Sequence, residues 1–332
     1  MTLKDIAREA GVSAMSVSKA INHKPGISAE KRAHILEIAA QMHYSPNLIA
    51  KSLRVNKTKT IGVILSDSSE MVTSIVLRGI QDVAQANGYS VLLANTDHKI
   101  EREREAIDTL LSKQIDGLLL VASALHSDAD VTALRKLPIP FVFLMRKNDH
   151  MNIDSVINDN CLGGYQSILH LAKEGCQRFQ LIGLVNSQSS MEREKGYAQA
   201  FRDCKIPPDH IFAAHTDPFI QSGYETMNAI LAEKRRFDAV VCGCDTVAIG
   251  AMESLLEHGL HIPQDVRVIG YDGIYLAKYL RVPLSTVEQP LYQMGSSGME
   301  ILLDRIRFPD MAVRKIVLKS ELVIRASTHL AE

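Results

Sequence analysis

No apolar run in the 332 residues approaches the roughly 18 that a membrane span needs. The N-terminus is charged and helical in pattern, with no apolar segment of the kind a secretory signal carries. A cytoplasmic protein with no membrane partner is therefore expected. Cysteine is scarce and odd in number: Cys161, Cys176, Cys204, Cys242 and Cys244. The one close pair, Cys242-Gly-Cys244, has no second pair or histidine beside it, so reduced buried thiols are expected rather than a metal centre. The marks of catalysis are missing too. No G-x-G-x-x-G opens a helix after a strand, no G-x-S-x-G elbow occurs and no G-x-x-x-x-G-K-[ST] loop is present. Gly163-Gly164 falls inside a helical pattern instead. Neither an enzyme nor a cofactor is indicated.

What is present describes a globular protein of two or three domains, with 46% hydrophobic and 23% charged residues. The net charge of −1 conceals an uneven distribution. Residues 1–60 hold ten Lys/Arg against four Asp/Glu, which makes that end about +6 and the remainder about −7. A basic end on an acidic body fits a phosphate-bearing partner for one end only.

Within that basic end, Ile6, Ala7, Ala10, Val17 and Ile21 recur at helical spacing, with one break at Gly11-Val12. Gly11 can take the positive φ of a sharp turn. Ser13 stands at an N-cap position for a second helix, and Ala7 is small where two helices must approach closely. The outward face of the second helix carries Ala14, Met15, Ser16, Ser18 and Lys19. Those are small hydroxyls, one apolar probe and one cation, without a carboxylate, and such a face suits the DNA major groove. A third helix is predicted over about 28–43, capped by Ser28, with Ile35, Leu36, Ile38, Ala39 and Met42 facing in. His34 and His43 read as surface residues. The stretch 44–58 has Ser45 as a cap and Pro46 at the first helical position, but only eight or nine helical residues follow. A helix that short is marginal alone. A linker that becomes helical on docking is expected.

From Ile61 apolar strands alternate with amphipathic helices. Strands are predicted at 61–65, 91–94, 117–121 and 141–144, with helices near 72–87 and 101–113. The pattern restarts after Asn160, with strands at 180–184, 239–242 and 266–271 among helices near 161–174, 192–204, 221–234 and 245–258. This alternation predicts two doubly wound parallel sheets, with a ligand cleft at the carboxyl ends of their strands.

The residues also resemble a known family. T-x-x-D-I-A-x-x-A-G-V-S at 2–13, S-V-S-x-x-x-N at 16–22 and Y-S-P-N-x-x-A-x-x-L at 44–53 are similar to the LacI/GalR transcriptional regulators. So are I-G-V-I at 61–64, R-E-K-G-Y at 193–197, G-Y-D at 270–272 and T-V-x-Q-P at 286–290. The resemblance spans essentially the whole chain. It implies an all-α helix-turn-helix head joined to an α/β two-lobed periplasmic-binding-protein-like domain. The expected boundaries are 1–44 for the head, 45–58 for the hinge and linker, and 59–332 for the effector-binding and dimerisation domain. Its first lobe takes 59–159 with 290–318, and its second lobe 160–289 with 319–332.

By resemblance, Ala14, Met15 and Lys19 read bases, while Thr2, Ser13, Ser16, Asn22 and Asn47 meet phosphates. Ala50 falls in the hinge motif, and Leu53 matches the leucine that hinge helices wedge into the minor groove. Lys19 is the one strong donor on the recognition helix and prefers guanine acceptors, so the hinge and DNA deformability carry part of the specificity. The resemblance places Ser66, Met145, Arg146, Arg193, Phe219, Cys244, Asp272 and Gln289 in an effector cleft. Arg193 and Asp272 suit hydroxyl-rich ligands, and Phe219 or Tyr275 would supply an apolar wall.

Three departures from the family pattern alter the cleft. S-D-S-S-E-M-V-T follows the first strand in place of an asparagine-proline-aromatic stretch. Met145 stands where an acid often precedes Arg146, and Cys244 replaces an asparagine. A ligand smaller or less hydroxylated than a common hexose is expected, and Arg146 with Arg193 admits an acidic sugar. The function expected is a repressor that binds a near-palindromic operator as a homodimer and is switched by a small carbohydrate-type effector. Whether effector releases or tightens DNA stays open. The alternatives are a solute-binding receptor and a corepressor-dependent regulator of the same fold.

Overall fold

A computed structural model describes residues 2–44, 57–123, 127–146, 152–185 and 187–329. It divides into two compact units, Met1–Thr58 and Lys59–Glu332.

Among its described residues the first unit holds three helices, α1 (Leu3–Glu9), α2 (Ala14–Ile21) and α3 (Ala29–Gln41). Gly11 has φ 62°, and the Val12 amide closes the turn on the Ala7 carbonyl at 3.0 Å. Ser13 then caps α2 by accepting from the Ser16 amide at 3.2 Å, and Ser28 caps α3 by accepting from Lys31. Ile6, Ala7, Val17, Ala20, Ile35, Ile38 and Ala39 form the small core. The expected hinge, residues 45–54 with Asn47, Ala50 and Leu53, lies outside the described residues.

The second unit holds two six-stranded sheets. The first contains β1 (Thr60–Leu65), β2 (Ser90–Asn95), β3 (Gly117–Val121), β4 (Phe141–Leu144) and β5 (Ser155–Asn158). With a later strand, β11 (Lys315–Leu318), its order is β11-β5-β4-β3-β1-β2. Helices α4 (Met71–Ala86), α5 (Ile100–Ser112) and α6 (Asp128–Leu134) connect these strands. The second sheet orders β12 (Glu321–Val323), β10 (Ser285–Glu288), β9 (Arg267–Asp272), β8 (Ala239–Cys242), β6 (Phe179–Leu184) and β7 (Ile211–Thr216). Around it run α7 (Asn160–Lys173), α8 (Gln188–Asp203), α9 (Ile220–Ala232) and α10 (Asp245–Glu257), and α11 (Leu291–Arg307) returns the chain to the first lobe.

Two differences from expectation have physical causes. The second sheet is not wholly parallel, because β12 runs antiparallel to β10; the chain enters it directly from β11 through a short turn that leaves no room for a crossover helix. Secondly, β2 is an edge strand, and Leu92 and Leu93 are 38% and 47% exposed although their pattern reads as a covered strand. The strands β5 and β7 escape the periodicity altogether, since four residues of S-V-I-N and the mixed I-F-A-A-H-T carry too little of it.

Three helix pairs pack by reciprocal glycine contacts. A Cβ on Gly79 would stand 2.2 Å from the Tyr292 carbonyl, and one on Gly295 2.0 Å from that of Val76, across α4 and α11. Gly164 and Gly196 play the same part across α7 and α8, as do Gly223 and Gly250 across α9 and α10. The obstacle is backbone in each case, so no side-chain rotation relieves it. Gly295→Ala is expected to cost about 1–3 kcal/mol by overpacking, although alanine is the better helix former by about 1 kcal/mol. A thermal melt should drop by several degrees, and an unchanged or raised Tm would show that the helices are not held this closely.

Candidate functional site

On the head, the candidate DNA-contacting residues divide by what the fold already asks of them. Ala14 and Met15 are exposed, Met15 by 70%, and project from the first turn of α2. Ser13 and Ser16 share a hydroxyl pair at 3.0 Å. Thr2 donates its hydroxyl and its amide to Asp5, both at 2.9 Å, and Asn22 Nδ2 donates to the Ser18 carbonyl at 2.8 Å, so each serves a helix terminus. Lys19 is half-buried near Gly26. Arg32, which no sequence signal singles out, donates from α3 to the carbonyls of Lys19, Ala20 and Lys24. It thereby fixes the C-terminal end of the recognition helix.

In the body, several of the expected effector residues lie at or just past the carboxyl ends of strands in both sheets: Ser66 after β1, Arg146 after β4, Asp272 at the end of β9 and Gln289 after β10. Val72 at the start of α4 packs against the core clusters of both lobes, and Met71 against that of the second. Four of the expected effector residues are brought together on the second-lobe side. Arg193, 4% exposed, comes from the first half of α8 and lies over the Tyr271 ring at 3.6 Å. Its Nε donates to Asn160 Oδ1 at 3.0 Å, Nη1 donates to the Gly243 carbonyl, and Nη2 lies 3.5 Å from Asp272 Oδ1. Gln289 Nε2 donates to the same Asp272 oxygen at 2.6 Å. Cys244 is buried beside them with its sulfur 3.1 Å from the Thr246 hydroxyl; burial pushes the thiol up to about 12, so it stays protonated. Burial likewise raises the Asp272 carboxyl to about 6, with Arg193 and Gln289 pulling against it.

Asp272 is held by a residue that sequence reasoning did not select. It has φ 116°, a conformation that costs a non-glycine residue on the order of 1–3 kcal/mol. Asp245, fully buried at the start of α10, accepts from the Gly273 and Ile274 amides at 2.8 Å each and from Thr286 Oγ1 at 2.6 Å. Those bonds pin the turn that follows Asp272. Burial and the Asp272 charge raise the Asp245 carboxyl to about 7.

On the first-lobe side Ser66 is 3% exposed, and among the described residues its hydroxyl has no hydrogen-bond partner. Gln289 Oε1, on the second-lobe side, likewise has none among the described residues. Arg146 is half-buried; burial lowers its pKa and the nearby Glu103 opposes this. Met145 does not join the cluster, because its side chain packs against the first-lobe core. Phe219 is 51% exposed, and Tyr275 pairs at the surface with Tyr279 and Lys278, so neither forms a covered wall. Among the described residues no group of His, Cys, Asp or Glu is placed to hold a metal, and no helix is long and apolar enough to cross a membrane.

A helix-turn-helix head on a two-lobed body, with polar groups gathered at the carboxyl ends of both sheets, defines a ligand-responsive DNA-binding protein. Comparison with known proteins gives the family. Residues 2–47 match the model for bacterial regulatory proteins of the lacI family, and residues 168–328 match a periplasmic binding protein-like domain. The ribose operon repressor of Haemophilus influenzae is 35% identical over 331 residues, covering 99% of this chain and 98% of that protein. The lac repressor dimer bound to operator and an anti-inducer superposes with a TM-score of 0.90 at 27% identity, over 99% of both chains. A LacI family regulator from Enterococcus faecium with bound ribose gives 0.75 at 30% identity, over 82% of this chain and all of that one (100%). The chain belongs to the lacI family of DNA-binding transcriptional repressors and is not an enzyme.

Arg193 is the residue the cleft can least spare. Removing one partner of a buried charge pair costs about 3–5 kcal/mol, and Arg193→Ala should show that loss in chemical denaturation. Arg193→Lys should recover less than half of it, because one ammonium cannot reach Asn160, Gly243 and Asp272 together. Full recovery by lysine would mean that charge alone, not the fork, holds the cluster.

Proposed function

We propose that this repressor binds a near-palindromic operator as a homodimer in the cytoplasm and is switched by a small polyol, of pentose size, held between the lobes. The observation that carries the ligand reading is the convergence of Arg193, Asp272 and Gln289, with the buried Ser66 hydroxyl and Gln289 Oε1 left without partners. Buried polar atoms are ordinarily satisfied, and sugar hydroxyls, which both donate and accept, satisfy this set. Cys244, in place of a polar group, favours a ligand with fewer hydroxyls than a hexose. The ribose seen in the Enterococcus faecium regulator and the name of the Haemophilus relative support the same size class.

For the dimer, the exposed edge strand β2 with Leu92 and Leu93 offers an apolar edge that a second copy would cover. Two heads then meet two half-sites. Ala14, Met15 and Lys19 read bases, while Thr2, Ser13, Ser16, Asn22 and Asn47 approach phosphates. Residues 45–58, with Ala50 and Leu53, relay the arrangement of the lobes to the heads.

A thermal-shift screen of pentoses and hexoses tests the ligand reading, since a bound ligand raises Tm by mass action; no shift with any of them would contradict it. The affinity should also depend on pH. A hydroxyl donates to the ionised form of Asp272, whose carboxyl lies at about 6, so binding weakens as pH falls through about 6. A titration series that is flat between about pH 5 and 7.5 would remove Asp272 from the contact. For the head, Lys19→Ala should relax preference at one base pair per half-site, by about 1–3 kcal/mol of discrimination. An unchanged site-selection profile would reject Lys19 as a base reader.

A further inference from the structure

Glu70 takes no part in the cluster described above, yet it stands where the lobes meet. It occupies the N-cap position of α4 but makes no side-chain cap. Its carboxylate accepts from Thr73 Oγ1 at 3.1 Å and lies 3.1 Å from His98 Nε2. The next two residues, Met71 and Val72, pack against the second-lobe core cluster that contains Cys244 and Ile274. The carboxylate is thereby carried toward the wall that presents Asp272, and its charge adds to the upward push on the Asp272 carboxyl.

The charged groups of the two walls are unevenly matched. The charged groups that act on one another here are Asp67, Glu70, Glu103, His98 and Arg146 on the first lobe, and Asp245, Asp272 and Arg193 on the second. Two of these cations already have an acid beside them: Arg193 has Asp272 and His98 has Glu70; Arg146 is half-buried, and the charge of Glu103 acts on it. The His98 side chain is 58% exposed against 24% for Glu70. Solvent therefore screens the histidine charge more than the carboxylate it faces. Gln289 Oε1 adds an acceptor without a donor. These walls call for a ligand that brings hydrogen-bond donors and no negative charge.

Resting on the reading of the cleft as the effector site, we propose that Glu70 is a specificity-determining residue of that site. With Asp272 opposite, it admits an uncharged polyol and rejects the phosphorylated or carboxylate form of the same sugar. Selectivity of this kind comes from repulsion of the wrong ligand as much as from contacts to the right one. It also argues against the acidic sugar that Arg146 and Arg193 suggest from sequence alone, because Arg193 is already held by Asp272, Asn160 and Gly243.

The test is calorimetric titration of the full chain with D-ribose, ribose 5-phosphate, D-ribonate and inorganic phosphate. The expected result is binding of D-ribose, with ribose 5-phosphate and D-ribonate weaker by about 100-fold or more and no binding of inorganic phosphate. Glu70→Gln should close the gap between D-ribose and the anionic sugars by about tenfold, and Glu70→Asp, which keeps the charge, should preserve the gap. Equal or tighter binding of either anionic sugar by the unaltered protein overturns the proposal, as does a gap unmoved in Glu70→Gln. Failure of all four compounds to bind instead overturns the reading of the cleft as a sugar site, and the proposal with it.

Discussion

A buried guanidinium organises the body. Taking Arg193 out of water costs several kcal/mol, and that cost is offset only because groups from separate parts of the chain converge on it. The Gly243 carbonyl arrives from the turn after β8, Asp272 from the end of β9 and Asn160 from the start of α7. Asn160 also lies 3.3 Å from Asn158 Nδ2, which is within 3.3 Å of Ser320 Oγ and 3.4 Å of the Tyr271 hydroxyl. Asn158–Asn160 and Ser320 are two of the places where the chain passes between lobes. A ligand that contests the bonds of Arg193 would therefore act one hydrogen bond away from the segments about which the lobes would move, and one that contests those of Asp272 one step further.

The surroundings keep that cluster in place. Asp245 holds the turn beyond Asp272 with acceptor oxygens alone, and the reciprocal glycines let α7 press against α8 so closely that Gly164 abuts the Arg193 carbonyl. The position of the guanidinium is thus set by backbone contact as well as by its own bonds. The first lobe contributes a serine hydroxyl without a partner among the described residues, an acidic loop and a half-buried arginine.

The head was legible in the sequence because its signals are local. Gly11, Ser13 and Ser28 lie within a few residues of the bonds they make. The alternation of strands and helices was legible for the same reason, except where a strand was short or sat at an edge. Of the cleft, Arg193, Asp272, Gln289 and Cys244 came from resemblance and do converge, whereas Met145 turns into the first-lobe core. Asp245, Asn160, Glu70 and Arg32 were not singled out, since each acts on a partner brought near only by the fold; Asp245 and Thr286, for instance, are 41 residues apart. The paired glycines look like ordinary helix interruptions until the facing helix is in place.

Under the proposed function, occupancy of the Arg193–Asp272 cluster is felt at the DNA-reading head. Its most direct test is fluorescence anisotropy of a labelled operator against the intact protein, with and without the sugar that stabilises it, repeated for Asp272→Asn. Operator affinity is expected to change by about fivefold or more on adding the sugar and not at all in the variant, whose ligand-free operator affinity stays near that of the unaltered protein. Operator affinity that is the same with and without saturating sugar in the unaltered protein would contradict it.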